Sequence, residues 1–166
     1  MRITAQILTV HTTHPFIIAR GGTSEFRVVW VRLQDNDGVE GWGEAAPSRF
    51  YGETAETVMA AITHFEPLLA AADSWSIDAI ETELIKSLRW NASARCAISA
   101  ALHDLMAKRL GIPLYKLWGL SGMATPECAR PVRIGSGPTS GKNFSRSSGK
   151  GSPSAGTAPL VMSGRG

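Results

Sequence analysis

Four histidines and several carboxylates are the residues of this chain that could support acid–base or metal chemistry. His11 and His14 lie three residues apart near the end of an extended segment, a spacing that does not place them on one strand face. No third ligand accompanies them, so we interpret both as ordinary loop histidines rather than metal ligands. His103 precedes Asp104, but adjacent helical residues diverge, so we expect a surface or packing pair rather than a catalytic dyad.

Two extended segments open the chain, and their alternation predicts strands. Residues 1–10 place Ile3, Ala5 and Ile7 on one side of a strand. Residues 25–34 carry apolar side chains on both faces, which predicts a central position in a sheet.

A tight turn and a third strand follow. The run DNDG, residues 35–38, is a turn signal because Asn, Asp and Gly tolerate positive φ angles. It leads into residues 39–45 and therefore predicts an antiparallel meander. Gly41 and Gly43 would weaken that strand unless another backbone packs close, so we expect a close neighbour or a bulge there.

Three helical segments come next. Thr54 is a predicted N-cap, and Pro67 is expected to interrupt the first helix. Ser76 is a predicted N-cap for the second helix, and residues 93–110 form the third, which Gly111 ends. The predicted fold class is α+β, a three-stranded antiparallel meander followed by a helical bundle.

Composition limits the class of protein. The chain has 166 residues, 43% of them apolar, which is typical of a single globular domain. No run reaches the ~18 apolar residues of a membrane span, and residues 1–16 lack the pattern of a secretory signal. Cys96 and Cys128 form no close-spaced pair, so we predict reduced thiols and a cytoplasmic protein that binds no membrane.

The last 46 residues differ in kind from the first 120. Residues 1–120 hold 11 basic and 13 acidic residues, whereas residues 121–166 hold 6 basic residues and one acidic residue. The tail also contains nine Gly, nine Ser and five Pro, a composition that buries too little to offset its ordering entropy. We predict a domain over residues 1–120 and a disordered tail over 121–166, either a genuine linker or, as the abrupt change favours, an out-of-frame product.

The order of these elements, with two segments about fifty residues apart, resembles a known family. The segments are DNDGVEGWGEAAP and AISAALHDLMAKRLGIPLYKLWG. The chain resembles the N-terminal capping domain of the enolase superfamily, in its muconate-lactonising and dipeptide-epimerase branch, over residues 1–120. The resemblance implies a domain whose loops close over a (β/α) barrel that acts with Mg²⁺ and lysine bases on a dipeptide or related small carboxylate.

Two loops would approach the substrate if the resemblance holds. They are HPFIIARGGTSEF, residues 14–26, and PSRFYGET, residues 47–54. Arg20, Arg49 and Tyr51 lie in these loops and are the predicted substrate-binding residues, because a guanidinium can clamp a carboxylate through two hydrogen bonds. Exposed loop arginines without a ligand are an equally open interpretation.

The catalytic groups that the resemblance implies are missing from this chain. Several carboxylates must hold Mg²⁺, yet Glu127 is the one acidic residue after Leu120, and no Lys-x-Lys pair is present. We therefore predict no catalytic residue, no metal site and no cofactor in this chain. Glu44, at a strand end, is expected to have a structural role because catalysis in the family belongs to the barrel.

Three functions remain open at this point. The favoured one is a capping domain truncated before its barrel, inactive alone and prone to self-association through the exposed barrel-facing surface. The second is a capping subunit that completes a separately encoded barrel. The third is a non-enzymatic binding protein with a basic tail, although Phe144 is the single aromatic residue of that tail and nucleic-acid binding is therefore not expected.

Overall fold

The computed structural model of the protein describes residues 1–18 and 21–122. Three antiparallel strands form one sheet in the order β1-β2-β3, with β1 at Arg2–Ile18, β2 at Gly21–Gln34 and β3 at Glu40–Ala45. The meander and the central position of β2 are confirmed. The predicted disordered tail covers residues 121–166. Residues 123–166 lie outside the described residues.

One face of the sheet forms half of the core. The register pairs Leu33 of β2 with Ile3 of β1 on one side and with Gly41 of β3 on the other. It pairs Val31 with Ala5 and Gly43 in the same way. The β2 residues of this face, including Val29, are fully buried. Because side chains alternate along a strand, the opposite face carries the polar and aromatic residues.

Four helices follow the sheet. They are α1 at Ala55–Ala71, α2 at Ile77–Ser87, α3 at Ala92–Leu110 and the single turn α4 at Leu114–Leu117. Helices α1 and α3 cover the buried face of the sheet, α2 packs on both of them, and α4 packs on α3. Their buried side chains complete the core: Val58, Phe65, Leu69, Leu84, Ile98, Leu102 and Leu105. Among the residues described, no helix combines the length and the apolar character that crossing a bilayer requires.

Helix α3 rests directly on the backbone of β3. A methyl group built on Gly43 would lie 2.0 Å from the carbonyl oxygen of Ala97, and one on Gly41 would lie 1.9 Å from that of Ala101. Any larger residue would push the helix off the strand. The sequence-based expectation of a close backbone neighbour at these glycines is confirmed.

Side chains of α3 also occupy the outer edge of β3. The backbone N–H of Trp42 donates to Asp104 Oδ2 at 2.8 Å, and Lys108 Nζ donates to the carbonyl oxygen of Glu40 at 3.1 Å. An edge strand normally presents such groups to other chains. Here they are satisfied within the domain.

Arg109, near the end of α3, ties the β2–β3 turn to the helices. Its guanidinium bonds Asp35 at 2.8 Å and Asp37 at 2.7 Å, donates to Ser74 Oγ at 2.9 Å, and lies 5.0 Å from the centre of the Trp75 ring. The hydroxyl of Ser74 and then the guanidinium of Arg109 lower the pKa of the Asp35 carboxyl to about 2. The turn is therefore fixed by a nearly buried ion pair.

Three local predictions were wrong. Strands β1 and β2 continue through most of the segment predicted as a long loop, with Phe16 opposite Thr23. Helix α1 continues through Pro67 to Ala71, because the buried Leu69 lies on its core face and outweighs the lost hydrogen bond. Ser76 makes no capping bond to α2; its hydroxyl donates to Asp73 instead.

Candidate functional site

The paired ends of β1 and β2 form an exposed two-stranded ribbon, which we define as residues 9–18 and 21–27. Every ribbon residue whose side chain is described is exposed, including Ile17. The pairing shifts register between His11 and Phe16. A two-stranded ribbon without a packed face is marginally stable by itself, so this arm depends on contacts at its base or with a partner.

A second exposed element, the 48–53 loop, connects β3 to α1. Residues Arg49–Tyr51 form one turn of 3₁₀ helix, and Gly52 ends it with φ at 77°. The backbone N–H groups of Tyr51 and Glu53 both donate to the carbonyl oxygen of Ser48, at 2.9 and 3.2 Å. The loop is thereby closed on itself, and the side chains of Arg49, Phe50 and Tyr51 are exposed.

These two elements line one open groove of about 500 Å³, the loop groove. The ribbon contributes Thr23, Glu25, Phe26 and Arg27, and Val28 follows at its base. The other wall comes from the β3–α1 connection and the start of α1: Ala46, Pro47, Arg49, Glu53, Thr54, Ala55 and Glu56. The groove is mainly polar and holds arginines and glutamates.

An ion pair between Arg27 and Glu56 crosses the loop groove. The pKa of the Glu56 carboxyl is lowered, first by a hydrogen bond to its own backbone N–H at the start of α1 and then by the Arg27 guanidinium. Both side chains are about half exposed, so solvent screens the pair and it adds little to stability. It joins the base of the ribbon to the first turn of α1.

The predicted substrate-binding residues are placed as follows. Arg49 is exposed and lines the loop groove, and within the described residues its guanidinium makes no ion pair. Tyr51 is 78% exposed and packs edge to face with Phe50, with 5.0 Å between ring centres. Arg20 lies outside the described residues. The roles of all three as substrate contacts stay a prediction.

The structure adds one residue that the sequence did not single out. Glu53 is only 8% exposed, and its carboxylate accepts the backbone N–H of Ser93 at 3.3 and 3.4 Å and the Ser93 hydroxyl. Ser93 belongs to the first turn of α3, forty residues further along the chain. No local motif connects the two positions, so sequence periodicity had no means of pairing them.

The remaining acid–base candidates have structural partners. Glu44 accepts a hydrogen bond from Trp30 Nε1 at 3.1 Å, which fits the structural role expected of it. His103 Nδ1 lies 2.9 Å from the carbonyl oxygen of Ser99, whereas Asp104 binds β3. The two neighbours therefore have separate partners, one within α3 and one on β3.

The other histidines and the cysteine take no part in a common site. His11 and His14 lie within β1 rather than in a loop, and both are exposed. Cys96 is a free, exposed thiol, and Cys128 lies outside the described residues. Within residues 1–18 and 21–122, no three His, Cys, Asp or Glu side chains converge in a way that could hold a metal ion.

Comparison with known proteins decides the family. The family described as mandelate racemase / muconate lactonizing enzyme, N-terminal domain, matches residues 2–119. The chain belongs to this family. The match ends at residue 119, close to residue 122, where the described part of this chain ends.

Curated relatives of this MR/MLE N-terminal domain are larger enzymes. The chain is 37% identical over 126 residues to the L-Ala-D/L-Glu epimerase of Escherichia coli, covering 76% of this chain and 36% of that enzyme. It is 34% identical over 125 residues to the L-Lys-D/L-Arg epimerase of Methylococcus capsulatus, covering 73% and 35%. The chain thus spans about a third of the length of the curated relatives it matches.

Solved structures agree. The substrate-liganded L-Ala-D/L-Glu epimerase from Bacillus subtilis superposes with a TM-score of 0.66 at 32% identity, covering 70% of this chain and 33% of that one. A dipeptide epimerase from Methylococcus capsulatus, complexed with Mg and the dipeptide L-Arg-D-Lys, gives a TM-score of 0.65 at 34% identity, covering 70% and 34%. The described part of this MR/MLE domain does not fit a magnesium site, since it lacks a converging set of carboxylates.

Proposed function

We propose that this MR/MLE N-terminal domain acts as a specificity cap for a dipeptide epimerase-like barrel and has no catalytic activity alone. The observation that supports this most is the loop groove. The described residues of the two segments predicted to approach the substrate lie on its opposite walls, and Thr23, Glu25 and Arg49 among them are exposed. Arg49 would then present a cation, and Tyr51 an aromatic ring, to a small carboxylate such as a dipeptide.

The same proposal assigns the chemistry to groups outside this chain. Proton abstraction next to a carboxylate produces an enediolate, whose charge Mg²⁺ stabilises when the complete enzyme binds it. Beyond Leu120 the sequence has one acidic residue, Glu127, and no lysine pair. The chain therefore contributes binding and enclosure, in a cytoplasmic setting, and depends on a barrel for the base and the metal ligands.

A deuterium exchange experiment tests the first half of the proposal. The 166-residue chain is incubated in D₂O with Mg²⁺ and a panel of acidic, basic and aromatic dipeptides, and α-proton exchange is followed by NMR. We expect no exchange above the buffer control. Deuterium incorporation that EDTA abolishes would contradict the proposal.

A chimaera tests the second half. Residues 1–120 replace the corresponding first third of the Escherichia coli L-Ala-D/L-Glu epimerase, which is 37% identical over the matched region. We expect Mg²⁺-dependent epimerase activity whose preference among dipeptides changes when Arg49 or Tyr51 is replaced by alanine. Glu66→Ala, at an exposed position of α1, is the matched control. An active chimaera with an unchanged preference in every variant would refute the specificity role.

A further inference from the structure

Glu53 is a buried carboxylate without a cation. It is 8% exposed, and within the described residues it forms no ion pair. Glutamate is rarely buried unless a partner compensates its charge. The compensation here comes from two donors of one residue, the backbone N–H and the hydroxyl of Ser93.

The start of α3 explains why those donors are available. The N-cap residue Asn91 has φ at 51° and ψ at 46°, a left-handed conformation, and its side chain makes no capping bond. Trp90 before it also has positive φ, at 64°. An N-cap side chain normally accepts an N–H from the first turn of its helix. Glu53 takes over that role, and its charge is favourable at a helix N-terminus.

On its other side, Glu53 ends the 48–53 loop. Its backbone N–H closes the loop onto the carbonyl oxygen of Ser48 at 3.2 Å. Gly52, directly before it, has φ at 77°, and Tyr51 stands two residues away. Any displacement of the Glu53 side chain from α3 therefore releases the C-terminal end of this loop.

We propose that Glu53 is a positioning residue, whose bonds to Ser93 hold the 48–53 loop, and with it Arg49 and Tyr51, at a fixed place on helix α3. The importance of that placement for substrate preference rests on the proposed function. The anchoring itself is a property of this chain and is measurable without a barrel.

The test is hydrogen exchange of the full 166-residue chain, read for residues 48–53 and the first turn of α3. Glu53→Ala should speed exchange in both segments about tenfold or more, since a hydrogen bond to a charged group and a helix cap are lost together. Glu53→Gln, which keeps an acceptor but not the charge, should fall in between. Ser93→Ala, a separate variant that removes only the hydroxyl, should also exchange at a rate between those of the wild type and Glu53→Ala.

Controls separate anchoring from general stability. Glu66→Gln, on the exposed side of α1, should leave both segments unchanged. Trypsin should cleave after Arg49 about tenfold faster in Glu53→Ala, while the slow amides of β2 residues 29–33 keep their wild-type rates. Equal acceleration of the loop and of β2, or a loop that exchanges as in wild type, would overturn the proposal.

A kinetic arm relates the anchor to recognition. In the chimaera with the Escherichia coli enzyme, Glu53→Ala should raise KM for the preferred dipeptide about tenfold and leave kcat within about twofold, because the barrel still supplies the chemistry. A fall in kcat alone would count against a positioning role. If the chimaera is inactive but the exchange result holds, the anchor is supported and the specificity-cap function is refuted.

Discussion

Replacing Gly43 by alanine tests the direct contact between β3 and the backbone of α3. A methyl group at this position would meet the carbonyl oxygen of Ala97 at 2.0 Å and its carbonyl carbon at 2.9 Å. Both atoms belong to the backbone of α3, so no side-chain rotation can relieve the clash. The helix must move away from β3 by roughly 1 Å, and the packing along their contact loosens.

The expected loss follows from that displacement. Overpacking a core typically costs about 1–3 kcal/mol, and a clash with rigid backbone belongs at the upper end, so we expect about 3 kcal/mol. A domain of this size has a total stability of roughly 6–18 kcal/mol. The midpoint of thermal unfolding should fall by about 10 °C.

Denaturation in urea, followed by tryptophan fluorescence and circular dichroism, measures this loss. Gly38→Ala is the matched control: its φ of 82° strains an alanine, but no atom lies within 4 Å of the added methyl. That strain alone should cost about 1–2 kcal/mol. Gly43 has no such φ, so the loss in Gly43→Ala reports the clash, and it should still exceed the loss in Gly38→Ala.

A second substitution distinguishes backbone from side-chain crowding. Because the obstacle is the carbonyl oxygen of Ala97, removing the Ala97 side chain should not rescue Gly43→Ala; glycine within α3 should instead lower stability by about a further 1 kcal/mol. If Ala97→Gly restored stability, or if Gly43→Ala lost no more than the Gly38→Ala control, the assigned backbone contact would be wrong.

Three further predictions concern charge, association and the tail. The Asp35 pKa of about 2 lies below its unfolded value of 3.8, so the carboxylate stabilises the fold above about pH 4 by about 2 kcal/mol. That contribution is lost as pH falls from 4 to 2, and Asp35→Asn should reduce this part of the pH dependence in urea titrations; an unchanged pH slope would refute it. Large apolar side chains between residues 110 and 120, including Tyr115 and Trp118, are exposed, so a chain shortened to residues 1–120 should self-associate and bind a hydrophobic dye. Sedimentation as a monomer at high concentration, without dye binding, would contradict this. Amides of residues 130–160 should exchange within seconds, and slow exchange there would contradict the predicted disordered tail.

The sequence pattern predicted the structure correctly where burial against the core imposes a regular spacing of apolar residues. Residues 25–34 carry apolar side chains on both faces, which predicted the central position of β2. In the structure, Val29, Val31 and Leu33 form its buried face. Thr54 accepts the N–H of Thr57, as a predicted N-cap should. Gly111 ends α3 with φ at 68°. Each of these signals is local and is reinforced by the core.

The sequence pattern did not predict the structure where residues lie away from the core, because nothing there imposes a regular spacing of apolar residues. The described side chains of the ribbon are exposed on both faces, so burial imposes no alternation on them. The Glu53–Ser93 contact joins positions forty residues apart, and neither residue type is unusual in its own segment. The sequence therefore indicated the two loops of the predicted site. The contact of Glu53 with α3, which we propose anchors one of these loops, is seen only in the structure.

Helix α3 contacts both β3 and the loop that follows it. At its outer edge and across its glycines, β3 is held by α3 through backbone contact, Asp104 and Lys108. Beyond its C-terminal end, the chain leaves the sheet, and the 48–53 loop is attached to the same helix by Glu53. Helix α3 thus supports both the rigid strand and the exposed loop. Substitutions that move α3 on β3 should consequently disturb the loop groove, even though Gly43 does not line it.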